Sequence, residues 1–128
     1  MKPELNYLVW SAVLAFAQML VAAQGAFNQV GLMPLIGNRD GMPEVKGWAG
    51  RAQRAQRNML ENLALFIALI AVAVLADKTN AMTLLGAQLF FWARLAYAPV
   101  YIAGIPWLRT GVWFVSVIGL ILIFFQLV

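Results

Sequence analysis

Residues 54–76 read RAQRNMLENLALFIALIAVAVLA, a charged and polar opening joined without a break to a run that meets no further charge until Asp77. A helix of that length rises about 1.5 Å per residue and so covers a hydrocarbon core of about 30 Å. Arg54, Arg57, Asn58 and Glu61 stand at i, i+3, i+4 and i+7, which stacks them on one helical face. A charge at mid-span costs roughly 2.5–3.5 kcal/mol on insertion scales, so such residues face other protein, water or a ligand. The stretch predicts a membrane helix inside a bundle, with a polar cluster at its mouth that requires a partner.

The remainder of the chain extends this reading. Of its 128 residues 63% are hydrophobic and 11% charged, with a mean hydropathy of +0.80, far from the composition of soluble domains. At about 20 residues per span, four spans with short loops use the whole length and leave no room for a soluble domain. The apolar runs predict spans at about 5–30, 52–76, 81–103 and 110–128, within a single domain over 1–128. Residues 31–50, GLMPLIGNRDGMPEVKGWAG, are the one substantial loop, where Gly, Pro and charge are too dense for a regular helix. The expected class is all-α, an integral membrane four-helix bundle with up-down topology. Lys2 ahead of an apolar run, with Ala23-Gln24-Gly25-Ala26 behind it, also fits a signal peptide, but the run is long for one and its removal would leave an odd three-span remainder. Gly86, Gly111 and Gly119 are expected to allow close helix approach, although the spans hold no strict GxxxG pair.

Charge and missing residue types restrict the chemistry. The net charge of +4 comes from nine Lys or Arg against five Asp or Glu, without the basic run of a nucleic-acid-binding chain, so no nucleic-acid partner is expected. There is no Cys and no His, which removes disulfides, a protein thiol nucleophile, the commonest general base and the commonest metal ligand. No metal site is expected, and an enzyme built on this chain must take its nucleophile from a substrate or cofactor. Arg39, Lys46, Arg51, Arg54, Arg57 and Arg109 gather at the first and third loops, against Lys2 and Lys78 at the other side. By the positive-inside rule the first and third loops are cytoplasmic.

With that topology the polar residues of three spans share one level. Arg54, Arg57, Asn58 and Glu61 open span two, Arg94 lies in the inner half of span three with Tyr97 and Tyr101 at i+3 and i+7, and Arg109 opens span four. An Arg57–Glu61 pair and arginines reaching lipid phosphates would account for part of this set. They leave four arginines, Arg54, Arg57, Arg94 and Arg109, facing one embedded carboxylate, and an excess of buried cations implies an anion. A ligand with two carboxylates and one ammonium matches, with Asn58 able to serve either kind of group. Glutathione has that pattern and brings the thiol this chain lacks; an arginine beside a thiol favours the nucleophilic thiolate. The residues alone do not separate glutathione from another small anionic amphiphile.

In these features the sequence resembles the MAPEG family, membrane-associated proteins of eicosanoid and glutathione metabolism, as a bacterial-type member similar to microsomal glutathione transferases. The likeness is carried by four spans, a long first loop with Gly37-Asn38-Arg39, the motif RAQRNMLEN at Arg54 to Asn62, and Arg94 with Tyr97 and Tyr101 ahead of Arg109. It implies a homotrimer in a bacterial inner membrane, with one glutathione in each cleft between neighbouring subunits. Arg54, Arg57, Asn58 and Glu61 would grip the tripeptide, Tyr97 and Tyr101 would line the cleft, Arg94 would complete its charge network and Arg109 would be catalytic. The cosubstrate would then be glutathione and the acceptor a lipophilic electrophile arriving from the membrane lipid. Departures are the absence of an arginine late in span one, which offers Gln24, Asn28 and Gln29, and Trp113 where prostaglandin-forming relatives carry tyrosine. A non-catalytic glutathione-binding scaffold is the alternative. A small four-helix multidrug exporter is a weaker one, since such exporters resemble a pattern with a glutamate in span one, and here that span has no acidic residue after Glu4.

The cysteine-free chain makes the orientation directly testable. In intact cells a membrane-impermeant maleimide should label Asp77→Cys and spare Asn38→Cys, and the opposite pattern would invert the bundle.

Overall fold

A computed structural model describes residues 1–38, 40–41 and 43–128, so Arg39, counted above with the cytoplasmic loop, lies outside the described residues. The elements are α1 (Pro3–Val30), α2 (Leu32–Ile36), α3 (Gly47–Leu75), α4 (Ala81–Ala103) and α5 (Pro106–Leu127). The four long helices correspond to the four expected spans, and the fold is an all-α four-helix membrane bundle. Three boundaries differ. Helix α3 begins at Gly47, inside the expected loop and five residues before the expected start of span two. The loop is not free of helix, because the apolar Leu32–Ile36 forms a single turn with Pro34 in its first turn, where a missing N–H leaves no helical bond unmade. Span four starts earlier than expected because Pro106 occupies the first helical position of α5 instead of belonging to the turn.

Among the described residues α1, α3 and α5 are long and apolar enough to cross a membrane. Helix α4, 23 residues long and interrupted by Gln88 and Arg94, packs against all three others. Helices α3 and α4 meet across the middle of the bundle, whereas α1 and α5 stand at opposite corners with no close backbone approach among the described residues. At the centre Phe66 of α3 stacks on Phe90 of α4, with ring centroids 4.2 Å apart, among Met59, Leu63, Ile70 and Ile123.

The closest helix pair is α4 with α5, and its cause is a pair of glycines. A Cβ built on Gly86 would lie 2.6 Å from the Gly119 carbonyl oxygen, and one built on Gly119 would lie 2.6 Å from that of Gly86. Between helices in lipid, association rests on packing and interhelical hydrogen bonds instead of the hydrophobic effect, so this approach is decisive. Gly111, grouped with them above, faces open space and has no such role.

The two ends of the bundle are tied differently. At the α3–α4 turn, Asn80 caps α4 by accepting from the Met82 and Thr83 N–H groups at 2.8 and 3.0 Å, while its own N–H donates to Thr83 Oγ1 at 2.7 Å. The Thr83 hydroxyl donates to the buried carboxyl of Glu4 at 2.7 Å, joining α4 to α1. Lys78, exposed at this turn, donates to the Leu127 carbonyl at 3.1 Å, where a cation suits the negative end of α5. At the opposite end α4 stops at Gly104 in the left-handed region. There Arg51 Nε donates to the Ile102 carbonyl at 2.7 Å.

Replacing Gly86 by Val should force α4 from α5 and lower stability by at least the 1–3 kcal/mol typical of overpacking. Thermal unfolding in detergent reads the loss, and Gly111→Ala should leave the transition near that of the wild type.

Candidate functional site

Helix α3 sorts its polar opening by phase. Arg54, Arg57 and Glu61 are exposed and Asn58 is half-buried on one face, while Ala55, Met59 and Asn62 are buried on the other. The predicted i, i+3, i+4, i+7 alignment is therefore present. Among the described residues Arg57 and Glu61 form no ion pair with each other, so the cluster is not neutralised from within. Asn62 Nδ2 donates to the Asn58 carbonyl at 2.8 Å and to its Oδ1 at 3.2 Å, which fixes the Asn58 amide with its own N–H groups free to donate.

Helix α4 carries its charge inward. Arg94 is 1% exposed, and its Nε, Nη1 and Nη2 atoms have no hydrogen-bond partner. Its guanidinium lies over the Tyr97 ring at 4.1 Å. Tyr97 meets Tyr101 edge to face at 5.5 Å, and the Arg109 guanidinium of α5 lies over Tyr101 at 4.7 Å. Arg94, Tyr97, Tyr101 and Arg109 thus form a ladder of cation–π and ring contacts from the bundle interior to the start of α5. Such contacts contribute about 0.5–2 kcal/mol each, most where water is excluded.

These elements meet at a cavity of about 160 Å³ lined by Asn58, Tyr97, Arg109, Thr110 and Trp113. Of the sequence-predicted residues, the structure brings Asn58, Tyr97 and Arg109 together on its wall, and Tyr101 touches it through Arg109. Arg94 stands behind Tyr97 in the interior and does not line the cavity, and Arg54, Arg57 and Glu61 lie on the exposed face of α3 outside it. Thr110 was not anticipated as a wall residue, and Trp113 had been noted only as a departure from relatives. Their signal was available, since they follow Arg109 at i+1 and i+4 on one helix. The wall is rich in donors: a guanidinium, an amide, a phenol and an indole N–H suit an acceptor or anionic group, while the Thr110 hydroxyl donates to the Pro106 carbonyl at 3.1 Å.

The polar residues late in α1 are occupied elsewhere. Gln24 donates to Asn28 at 2.8 Å. Gln29 clasps the backbone of Lys46, donating to its carbonyl at 2.6 Å and accepting from its N–H at 2.8 Å. Gln29 therefore fastens the long loop and is not a substitute for the missing arginine.

Residues 7–128 match the family model of the MAPEG family. Neither a curated protein nor a solved structure matches the chain.

Proposed function

The chain belongs to the MAPEG family, whose members are glutathione-dependent membrane transferases and peroxidases or eicosanoid enzymes, and from that premise we propose that it activates glutathione for attack on a lipophilic electrophile. The observation that carries this reading is the convergence of Arg109, Asn58 and Tyr97 on one donor-rich cavity in a chain with no thiol of its own. Beside that cavity, the exposed face of α3 offers two cations and one carboxylate, Arg54, Arg57 and Glu61. Those charges complement the two carboxylates and one ammonium of the tripeptide.

Size supports an assembled site. Pockets for small ligands commonly enclose about 300–1,000 Å³, whereas this cavity holds about 160 Å³, and the charged face of α3 is open on the isolated subunit. A second copy closing over that face would complete the walls, in keeping with a homotrimer that holds glutathione between neighbours on the cytoplasmic side of a bacterial inner membrane. In that assembly Asn58 and the α3 charges orient the tripeptide, and Arg109 stabilises the thiolate. The electrophile enters laterally from the lipid. Conjugation and peroxide reduction both proceed from the same thiolate.

Equilibrium binding of glutathione to detergent-purified protein, with the thiolate followed by its ultraviolet absorbance across pH, tests the reading. Asn58→Ala should weaken binding about tenfold, the effect of one lost charge-assisted hydrogen bond. Arg109→Ala should retain binding but lower kcat toward a generic electrophile by about a hundredfold, as removal of one stabilising donor does. A wild-type protein that fails to bind millimolar glutathione would refute the proposal. Binding with an unshifted thiol titration and no turnover would support the scaffold alternative instead.

A further inference from the structure

The function proposed above leaves Arg94 without a role. All three nitrogens of its guanidinium are enclosed by protein and lack a hydrogen-bond partner, so neither a ligand in the cavity nor a lipid phosphate reaches them. No counter-ion is built for it either. Among the long helices, α1 holds one acid, Glu4, which accepts from Thr83 near the other end of α4; α3 holds one, Glu61, which is exposed; α4 and α5 hold none. A cation sealed in this way costs stability, and a hydrocarbon side chain of similar length would fill the same space without that cost.

What Arg94 does touch is the face of Tyr97, with 4.1 Å from its guanidinium carbon to the ring centroid. The far end of that ring is free. The Tyr97 hydroxyl has no hydrogen-bond partner among the described residues and, unlike the Arg94 nitrogens, is not sealed off, and Tyr97 lines the cavity at Arg109. One ring therefore joins a cation that cannot reach the cavity to a hydroxyl that can. A cation against the ring face draws π density toward itself and leaves the O–H a stronger donor, the more so where water does not screen the charge.

Arg109 is the one charged residue on the cavity wall and Tyr97 the one phenol, so α5 and α4 direct a cation and a donor at the same space. Tyr101 shares the ring contacts but does not line the cavity, and Asn58 supplies an uncharged amide from α3. We propose that Arg94 is a positioning residue for this site: acting through the Tyr97 ring, it makes the Tyr97 hydroxyl a donor that stabilises, together with Arg109, the anionic sulfur of bound glutathione. The proposal rests on the function stated above and gives the unpaired guanidinium a use that offsets its cost, since it stabilises a charge it never touches.

The test uses the full chain in detergent, with glutathione but no electrophile, and follows the thiolate by its absorbance across pH. Arg94→Met fills the space without the charge. It should leave glutathione affinity within about twofold of wild type while thiolate formation moves about one pH unit upward, the tenfold effect of weakening one hydrogen bond to an anion. Tyr97→Phe keeps the ring and removes only the hydroxyl, and it should give at least that shift. Combining the two should shift the thiolate no further than Tyr97→Phe alone, because Arg94 then has no hydroxyl to act on. If Arg94 only supports packing, its shift adds to that of Tyr97→Phe, and the proposal is overturned. Unchanged thiolate formation in Tyr97→Phe also overturns it, and that comparison stands even if Arg94→Met misfolds. Loss of glutathione binding in folded Arg94→Met would place the guanidinium on the ligand and overturn it as well. A wild-type protein that binds no glutathione sinks the function and this inference together, whereas normal wild-type binding with additive shifts sinks this inference alone.

Discussion

A guanidinium held inside a hydrocarbon layer must be stabilised by protein groups, because water is not there to do it, and Arg94 is that guanidinium. With its nitrogens unpaired and its exposure almost nil, it depends on the Tyr97 ring beneath it. The same stacking continues through Tyr101 to Arg109. The helix that carries Arg94 must then sit where lipid does not reach it, and α4 does so by packing against every other long helix. That placement requires α5 to approach α4 at backbone distance, which only the Gly86–Gly119 contact allows. The position of Arg109 beside Tyr97 and Asn58 thus follows from the need to shelter Arg94.

The two ends of the bundle divide the polar work. At the α3–α4 turn the polar groups answer one another: Glu4 is met by Thr83, Asn80 by Gln126 and Lys78 by the last carbonyl turn of α5. That end is closed and structural. At the loop end, among the described residues, Arg51 and Gln29 tie the chain to Ile102 and Lys46. Apart from Arg94 in the interior, Asn58 and Arg109 there face a cavity and Arg54, Arg57 and Glu61 the outside of the subunit, which is the pattern expected of a surface that ligands and neighbouring subunits complete.

Much of this was legible in the chain because helical phase is a local property. The spacing of Arg54, Arg57, Asn58 and Glu61 was enough to place them on one face, and the apolar runs were enough to place four helices. The spacing could not say which of those residues share a cavity. Asn58 does and its neighbours on α3 do not, because α5 crosses α3 at the level of Asn58 and Asn62 and leaves the Arg54–Arg57 edge open. Trp113 entered the wall for the same reason. The contact of Lys78 with the Leu127 carbonyl could not be read either, because that partner is 49 residues away in the chain.

The sequence by itself determined that this is a membrane helix bundle whose charge clusters at one end, that it has neither a thiol nor an imidazole, and that its motif at residues 54–62 is of the MAPEG kind. Composition and period suffice for those conclusions, since the cost of burying charge in lipid and the 3.6-residue turn act on every chain alike. Only the tertiary structure decided that Arg94 is interior while Arg109 is at the cavity, that Gly86 and Gly119 set the α4–α5 approach while Gly111 does not, and that the Arg94 guanidinium has no hydrogen-bond partner. Each of those depends on which helix faces which and at what distance. Those relations come from packing between segments far apart in the chain, and no local pattern encodes them.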